Sequence, residues 1–149
     1  KDSINMTLYV KDSDNKDSMF IKNINEISMI YCTPTDDNTY ILYIKYKNSH
    51  KKELYVKESF FENLSFQLSN IANGLYFKHE QNVLWVNTDD LGEFYSIKCD
   101  TNLYLVTFVF SENTEHVIEI GEDVFDKLNV KLKLSFGISV SLMDTKPKP

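Results

Sequence analysis

The sequence predicts a mainly β fold, an antiparallel β-sandwich or paired half-barrels built from two similar β-rich units, with one or two short helices. Three observations carry this. Apolar residues recur at every second position in several runs, the longest being Asn129–Leu142, where Val130, Leu132, Leu134, Phe136, Ile138, Val140 and Leu142 alternate with mostly Lys and Ser. Successive side chains on a strand point to opposite faces, so such a run has one dry and one wet face. Short polar clusters punctuate these runs, as turns do in an antiparallel protein. Finally, the chain echoes itself: shifted by 64 positions, Met19–Leu68 lies on the second half without a gap.

Taken in order, Ile4, Met6, Leu8 and Val10 mark a first strand, and the polar run 12–18 a loop. Met19–Ile21 and Ile27–Cys32 follow as strands, then a turn over Thr33–Asn38. Tyr40–Ile44 is apolar or aromatic on both faces, the pattern of a central strand covered on both sides. The chain turns over Lys47–Lys52 and returns through Leu54–Val56 as a hairpin. Within Ser59–Asn73, Phe60, Phe61, Leu64, Leu68 and Ile71 share one helical face, although Leu64, Phe66 and Leu68 also alternate. Ser59 followed three residues later by Glu62 has the form of a capping box and favours the helix. Leu75–Phe77 and Val83–Val86 are short strands around a turn at Gln81–Asn82, and Trp85 in the second reads as core.

The echo pairs Tyr31 with Tyr95, Tyr40 with Tyr104, Phe61 with Phe125, Leu64 with Leu128 and Leu68 with Leu132. A duplication predicts strands followed by a helical turn in each unit, over about 4–73 and 74–142. Units this short bury little apolar surface alone, so one domain over 1–149 is expected, with 143–149 a tail or linker. The first residues carry neither an initiator Met nor an apolar signal core, which suggests a processed form or a segment of something longer.

The net charge is −6, and all sixteen basic residues are Lys. Arg is the preferred reader of guanine and clamp of phosphate, so its absence and the negative charge disfavour nucleic acid as a partner. No apolar run reaches the length of a membrane helix. Cys32 and Cys99 read as two reduced thiols, with a single bridge as the alternative. The setting expected from these features is cytoplasmic.

The two equivalent hairpins differ in charge. The first holds Lys45, Lys47, Lys51, Lys52 and Lys57 against Glu53, with His50 at its tip; the second holds Glu112, Glu115 and Glu119, extended by Glu122, Asp123 and Asp126. Solvated hairpins kept soluble by charge are the plain explanation. The functional one assigns partner binding to Lys45, Lys47, Lys51, Lys52, Glu112, Glu115 and Glu119. The basic hairpin would meet an acidic protein or a lipid headgroup in peripheral contact, and the acidic one a basic partner. Tyr43, Tyr46 and Tyr55 would suit such an interface if exposed.

No catalytic or metal site is legible. Asp12, Asp14 and Asp17 start like a calcium loop, but the sixth-position Gly and twelfth-position Glu are missing. Asp36–Asp37 and Asp89–Asp90 are turn chemistry. His50, His79 and His116 stand apart from one another and from Cys, and there is no nucleophile elbow or phosphate loop. Neither cofactor nor enzymatic activity is assigned. Asn5 and Asn63 sit in glycosylation-acceptor triplets that read as coincidence.

The run Phe136–Pro147, with Gly-Ile-Ser-Val-Ser-Leu-Met-Asp inside it, resembles a phrase of the bridge-like lipid-transfer proteins of the vacuolar sorting (chorein) family. Glu115–Ile120 resembles the strand that leads up to it there. The resemblance implies a segment of a large cytosolic lipid-transport or scaffold protein with β-rich, adaptor-binding modules. The function expected overall is non-catalytic protein binding through a strand edge or charged hairpin. The alternative is a small acidic inhibitor or immunity protein that blocks a basic active site with Glu112–Asp126.

Overall fold

The computed structural model describes residues 7–11, 18–21 and 23–136. Among them are ten strands in three antiparallel sheets and two helices, the mainly β class that alternation and turn spacing predict. The chain divides into two compact units, Lys1–Asp89 and Asp90–Pro149.

In the first unit, β1 (Leu8–Lys11) and β2 (Ser18–Ile21) form a hairpin. Strands β3 (Ile27–Pro34), β4 (Thr39–Tyr46), β5 (Lys51–Lys57), β6 (Gly74–His79) and β7 (Asn82–Asn87) form a five-stranded sheet in the order β5-β4-β3-β7-β6. Helix α1 (Glu58–Leu68) follows β5 directly. Its Phe61, Leu64 and Leu68, three and four residues apart, lie on one helical face. They join Leu8, Val10 and Ile21 of the hairpin and Ile30, Leu42, Ile44, Val83 and Trp85 of the sheet in one buried cluster.

Two local expectations are corrected here. The helix starts at Glu58 rather than behind a Ser59 cap; Lys57 holds the cap position without a side-chain bond, and the acidic Glu58 in the first turn suits the positive end of the helix. The strand buried continuously is β3, from Ile27 to Cys32, whereas β4 alternates between buried and half-buried positions as far as Ile44. The reason is topological, since β3 is the middle strand and β4 lies beside the edge.

In the second unit, β8 (Leu91–Asp100), β9 (Leu103–Phe110) and β10 (Thr114–Gly121) form a meander in the order β10-β9-β8, and α2 (Glu122–Phe136) follows β10. The longest alternating run is therefore helical over Asn129–Phe136 and not a strand; its remainder, 137–142, lies outside the described residues. Its alternation is accidental. Phe125, Leu128 and Leu132, spaced three and four, are the residues α2 buries, and Val130 and Leu134 face outward at 56% and 81% exposure. A stripe of that spacing is the helical signal, and Leu and Lys between its members are good helix formers.

At an offset of 64 residues the two units share detail beyond their element order. β4 and β9 coincide end to end, β3 and β8 start 64 apart, and so do α1 and α2. Both first strand pairs carry a bulge at the same place, between Ile27 and Met29 and between Leu91 and Glu93. Lys47 N–H donates to Glu26 C=O at 2.9 Å, and Ser111 N–H donates to Asp90 C=O at 3.1 Å, each anchoring the end of the second strand. Tyr40 stacks on Phe61 with centroids 4.1 Å apart, and Tyr104 on Phe125 at 3.9 Å. β6 and β7 extend the first unit's sheet.

Candidate functional site

The β4–β5 hairpin carries the basic candidates, and local chemistry fixes its turn. Ser49 takes a left-handed φ of 71°, Asn48 Oδ1 accepts from His50 N–H at 3.0 Å, and Ser49 N–H donates to Tyr46 C=O at 3.1 Å. Tyr46 N–H donates to His50 C=O at 2.8 Å, making that pair the hydrogen-bonded rung beside the turn. In an antiparallel ladder such rungs alternate. Counting on through the register, Lys52, Leu54 and Val56 bond inward to β4. Lys51, Glu53 and Tyr55 therefore point their N–H and C=O groups outward, and Lys57 its N–H, along a strand that is an edge of the five-stranded sheet; as the cap residue of α1, Lys57 turns its C=O to the helix.

The side chains follow the same alternation. Lys51, Glu53, Tyr55 and Lys57 share one face and are exposed, Tyr55 to 70%. Lys52, Leu54 and Val56 take the α1 side, where Lys52 is exposed and Val56 buried. Lys45 lies directly across from Lys51 but is only 8% exposed, with its ammonium 5.7 Å from the Tyr43 ring centre. Burial pushes the Lys45 ammonium below its ordinary value, the neighbouring Lys51 charge pushes it further, and Glu53 partly offsets both. Of the basic candidates, Lys47, Lys51 and Lys52 are thus exposed, and Lys45 is buried across from Lys51. Tyr43 and Tyr46 are half-buried, so of the three tyrosines Tyr55 is the exposed one.

The acidic candidates lie in the second unit. Glu112 sits in the β9–β10 connection with a φ of 62°, next to Asn113 at 59°. Glu115 and Glu119 project from the outer face of β10, while His116, Ile118 and Ile120 turn inward. All three glutamates are exposed.

Metal chemistry finds no assembly among the described residues. No group of three or more His, Cys, Asp or Glu side chains there is placed to hold a metal ion. Cys32 and Cys99 are free thiols; burial pushes the Cys32 thiol up from its ordinary 9.0 to about 12, far from a thiolate at neutral pH. The paired aspartates do turn work: Asp89 accepts from the Asn73 amide at 3.3 Å, and Asp90 from the Ser111 hydroxyl at 2.6 Å. Asp12, Asp14 and Asp17 lie outside the described residues, as does most of Phe136–Pro147, whose Phe136 ends α2. No helix among the described residues is long and apolar enough to cross a membrane.

Sequence reasoning passed over some exposed aromatics. Tyr9 and Phe20 stack on the outside of the β1–β2 hairpin at 4.6 Å, and Phe66 stands out from α1. Phe66 had a signal, because it falls off the spacing set by Phe61, Leu64 and Leu68. The special position of Lys57 and Tyr55 had none, since no local pattern says which strand becomes an edge. No family model, curated protein or solved structure matches the chain.

Proposed function

We propose that this chain is a non-catalytic protein-binding module that takes an extended segment of a partner protein as a sixth strand along β5. The observation that carries the reading is the outward row of backbone donors and acceptors on Lys51, Glu53 and Tyr55, continued by the Lys57 N–H, with Tyr55 itself 70% exposed. Strand addition draws affinity from main-chain hydrogen bonds and specificity from alternate side chains. A tyrosine offers a rigid apolar ring with a polar tip, a frequent anchor at interfaces. An open edge is also a hazard for aggregation, and the flanking lysines restrain unspecific pairing.

The test is an array of extended peptides of acidic, neutral and basic composition, probed with wild-type protein and with Glu53→Pro. That substitution removes an outward N–H and leaves the β4–β5 ladder intact, whereas Leu54→Pro, which breaks an inward bond, serves as the misfolded control. Binding lost in Glu53→Pro with unchanged far-UV circular dichroism supports the reading. Equal binding by Glu53→Pro and wild type, or no peptide bound at all, refutes it.

A second reading rests on Glu112, Glu115 and Glu119, exposed together along β10 and its turn. On it, the second unit plugs a basic cleft as an inhibitor, and reversing Glu115 and Glu119 to Lys abolishes the inhibition while β5 variants leave it unchanged.

A further inference from the structure

The charge layout of β5 narrows what the added strand is. Lys51 and Lys57 stand six residues apart on the same face, with Glu53 and Tyr55 between them. Behind Lys51, on the inner side, lies Lys45 rather than an acid. Directly opposed like charges in a sheet destabilise each other, and opposite charges attract, so the outer side of Lys51, where no strand pairs among the described residues, favours a carboxylate. Lys57 has Thr39 on its inner side, which leaves its charge available outward as well. A homotypic pairing of β5 with β5 about its centre at Leu54 would set Lys51 against Lys57 twice. That argues against a second copy of this edge paired over its full length.

We infer that the partner strand runs antiparallel to β5 and carries two acidic residues six positions apart, one opposite Lys57 and one opposite Lys51, with an apolar residue opposite Tyr55. This rests on the strand-addition reading above and assigns it a partner class, an acidic extended peptide. The position opposite Glu53 takes Lys or an uncharged polar residue.

The experiment titrates the full chain, labelled with nitrogen-15, with two blocked heptapeptides. One is Glu-Thr-Val-Thr-Lys-Thr-Glu; the other, Lys-Thr-Val-Thr-Glu-Thr-Lys, reverses every charge. The first is expected to shift the amides of Lys51, Glu53, Tyr55 and Lys57, and the second to bind at least about tenfold more weakly, from three attractive pairs turned repulsive. The double variant Lys51→Glu/Lys57→Glu, changed only at exposed positions, should invert the preference. Raising sodium chloride from 50 to 500 mM, about a threefold shortening of the screening length, should shrink the difference. Both peptides shifting the β5 amides with equal affinity overturns the acidic assignment and leaves strand addition standing. Neither peptide touching β5 overturns both.

Discussion

Gly74 and Gly121 both sit in strands, and the same Gly→Ala change should act on them with opposite signs. A Cβ built on Gly74 would lie 2.6 Å from Cζ2 of Trp85, with Nε1 and Cε2 nearer still. The atoms it meets are a rigid ring, fully buried in the main cluster, and cannot swing aside as the end of a flexible chain could. Gly74 therefore marks where the indole lies flat against the β6 backbone. At Gly121 the nearest atom to such a Cβ is the Asn102 carbonyl oxygen at 3.8 Å, an ordinary contact. Where the backbone suits alanine, Gly→Ala stabilises by about 0.4–1 kcal/mol through the unfolded chain. Overpacking a filled core costs about 1–3 kcal/mol. Gly74→Ala should accordingly lose about 1–3 kcal/mol and Gly121→Ala should gain about 0.5 kcal/mol. Urea unfolding followed by circular dichroism reads both, and emission from Trp85, the sole tryptophan, adds a local probe for Gly74→Ala. In Trp85→Phe the clashing ring atoms are gone, so adding Gly74→Ala there should cost at least about 1 kcal/mol less than in the parent. A Gly74→Ala midpoint at or above that of the wild type would refute the packing argument.

Four further outcomes follow from the structure. Leu132→Ala should cost about 2–5 kcal/mol while Leu134→Ala stays within about 0.5 kcal/mol, a contrast that a strand over this run would not produce. Phe61→Ala and Phe125→Ala, each removing a ring stacked on a tyrosine of its own unit, should each cost about 3–5 kcal/mol in the unit that contains it, measured by hydrogen exchange of β4 and β9 amides. Cys99 should react with a thiol reagent in the native protein and Cys32 only on unfolding. In alkali the unfolded Cys32 ionises above pH 9 while the folded thiol holds its proton to about 12, so stability falls as pH rises through that window. The loss amounts to about 4 kcal/mol at its upper end, from about 1.36 kcal/mol per unit. Tyr40 and Tyr46, also raised, add to the fall, and Lys45, lowered, opposes it. A stability profile between pH 8 and 12 checks this, and Cys32→Val should flatten it.

Much of the strand content was legible because burial of one sheet face writes itself as a period of two. Ile30, Cys32, Leu42 and Ile44 are apolar at alternate positions and are buried on one side. The match of apolar classes at 64 positions coincides with the bulges, turn anchors and stacked rings of the two units. The end of the chain misled, since Asn129–Phe136 satisfies both periods. Its alternation was the longer pattern, but the spacing of Phe125, Leu128 and Leu132 is the one that meets Tyr104 and its sheet.

The charged hairpins were legible as sequence, but the role of each lysine was not. Lys45 and Lys47 look alike in the chain, yet one is buried beside Tyr43 and the other is exposed at the turn. Local sequence determined where this protein is extended, where it bends and which side chains alternate, because those preferences act between near neighbours. Tertiary structure decided that β5 is an edge, that β3 is the middle strand and which of its two periods Asn129–Phe136 uses. Each of these depends on what packs against a segment from far along the chain, and a pattern confined to that segment cannot encode it.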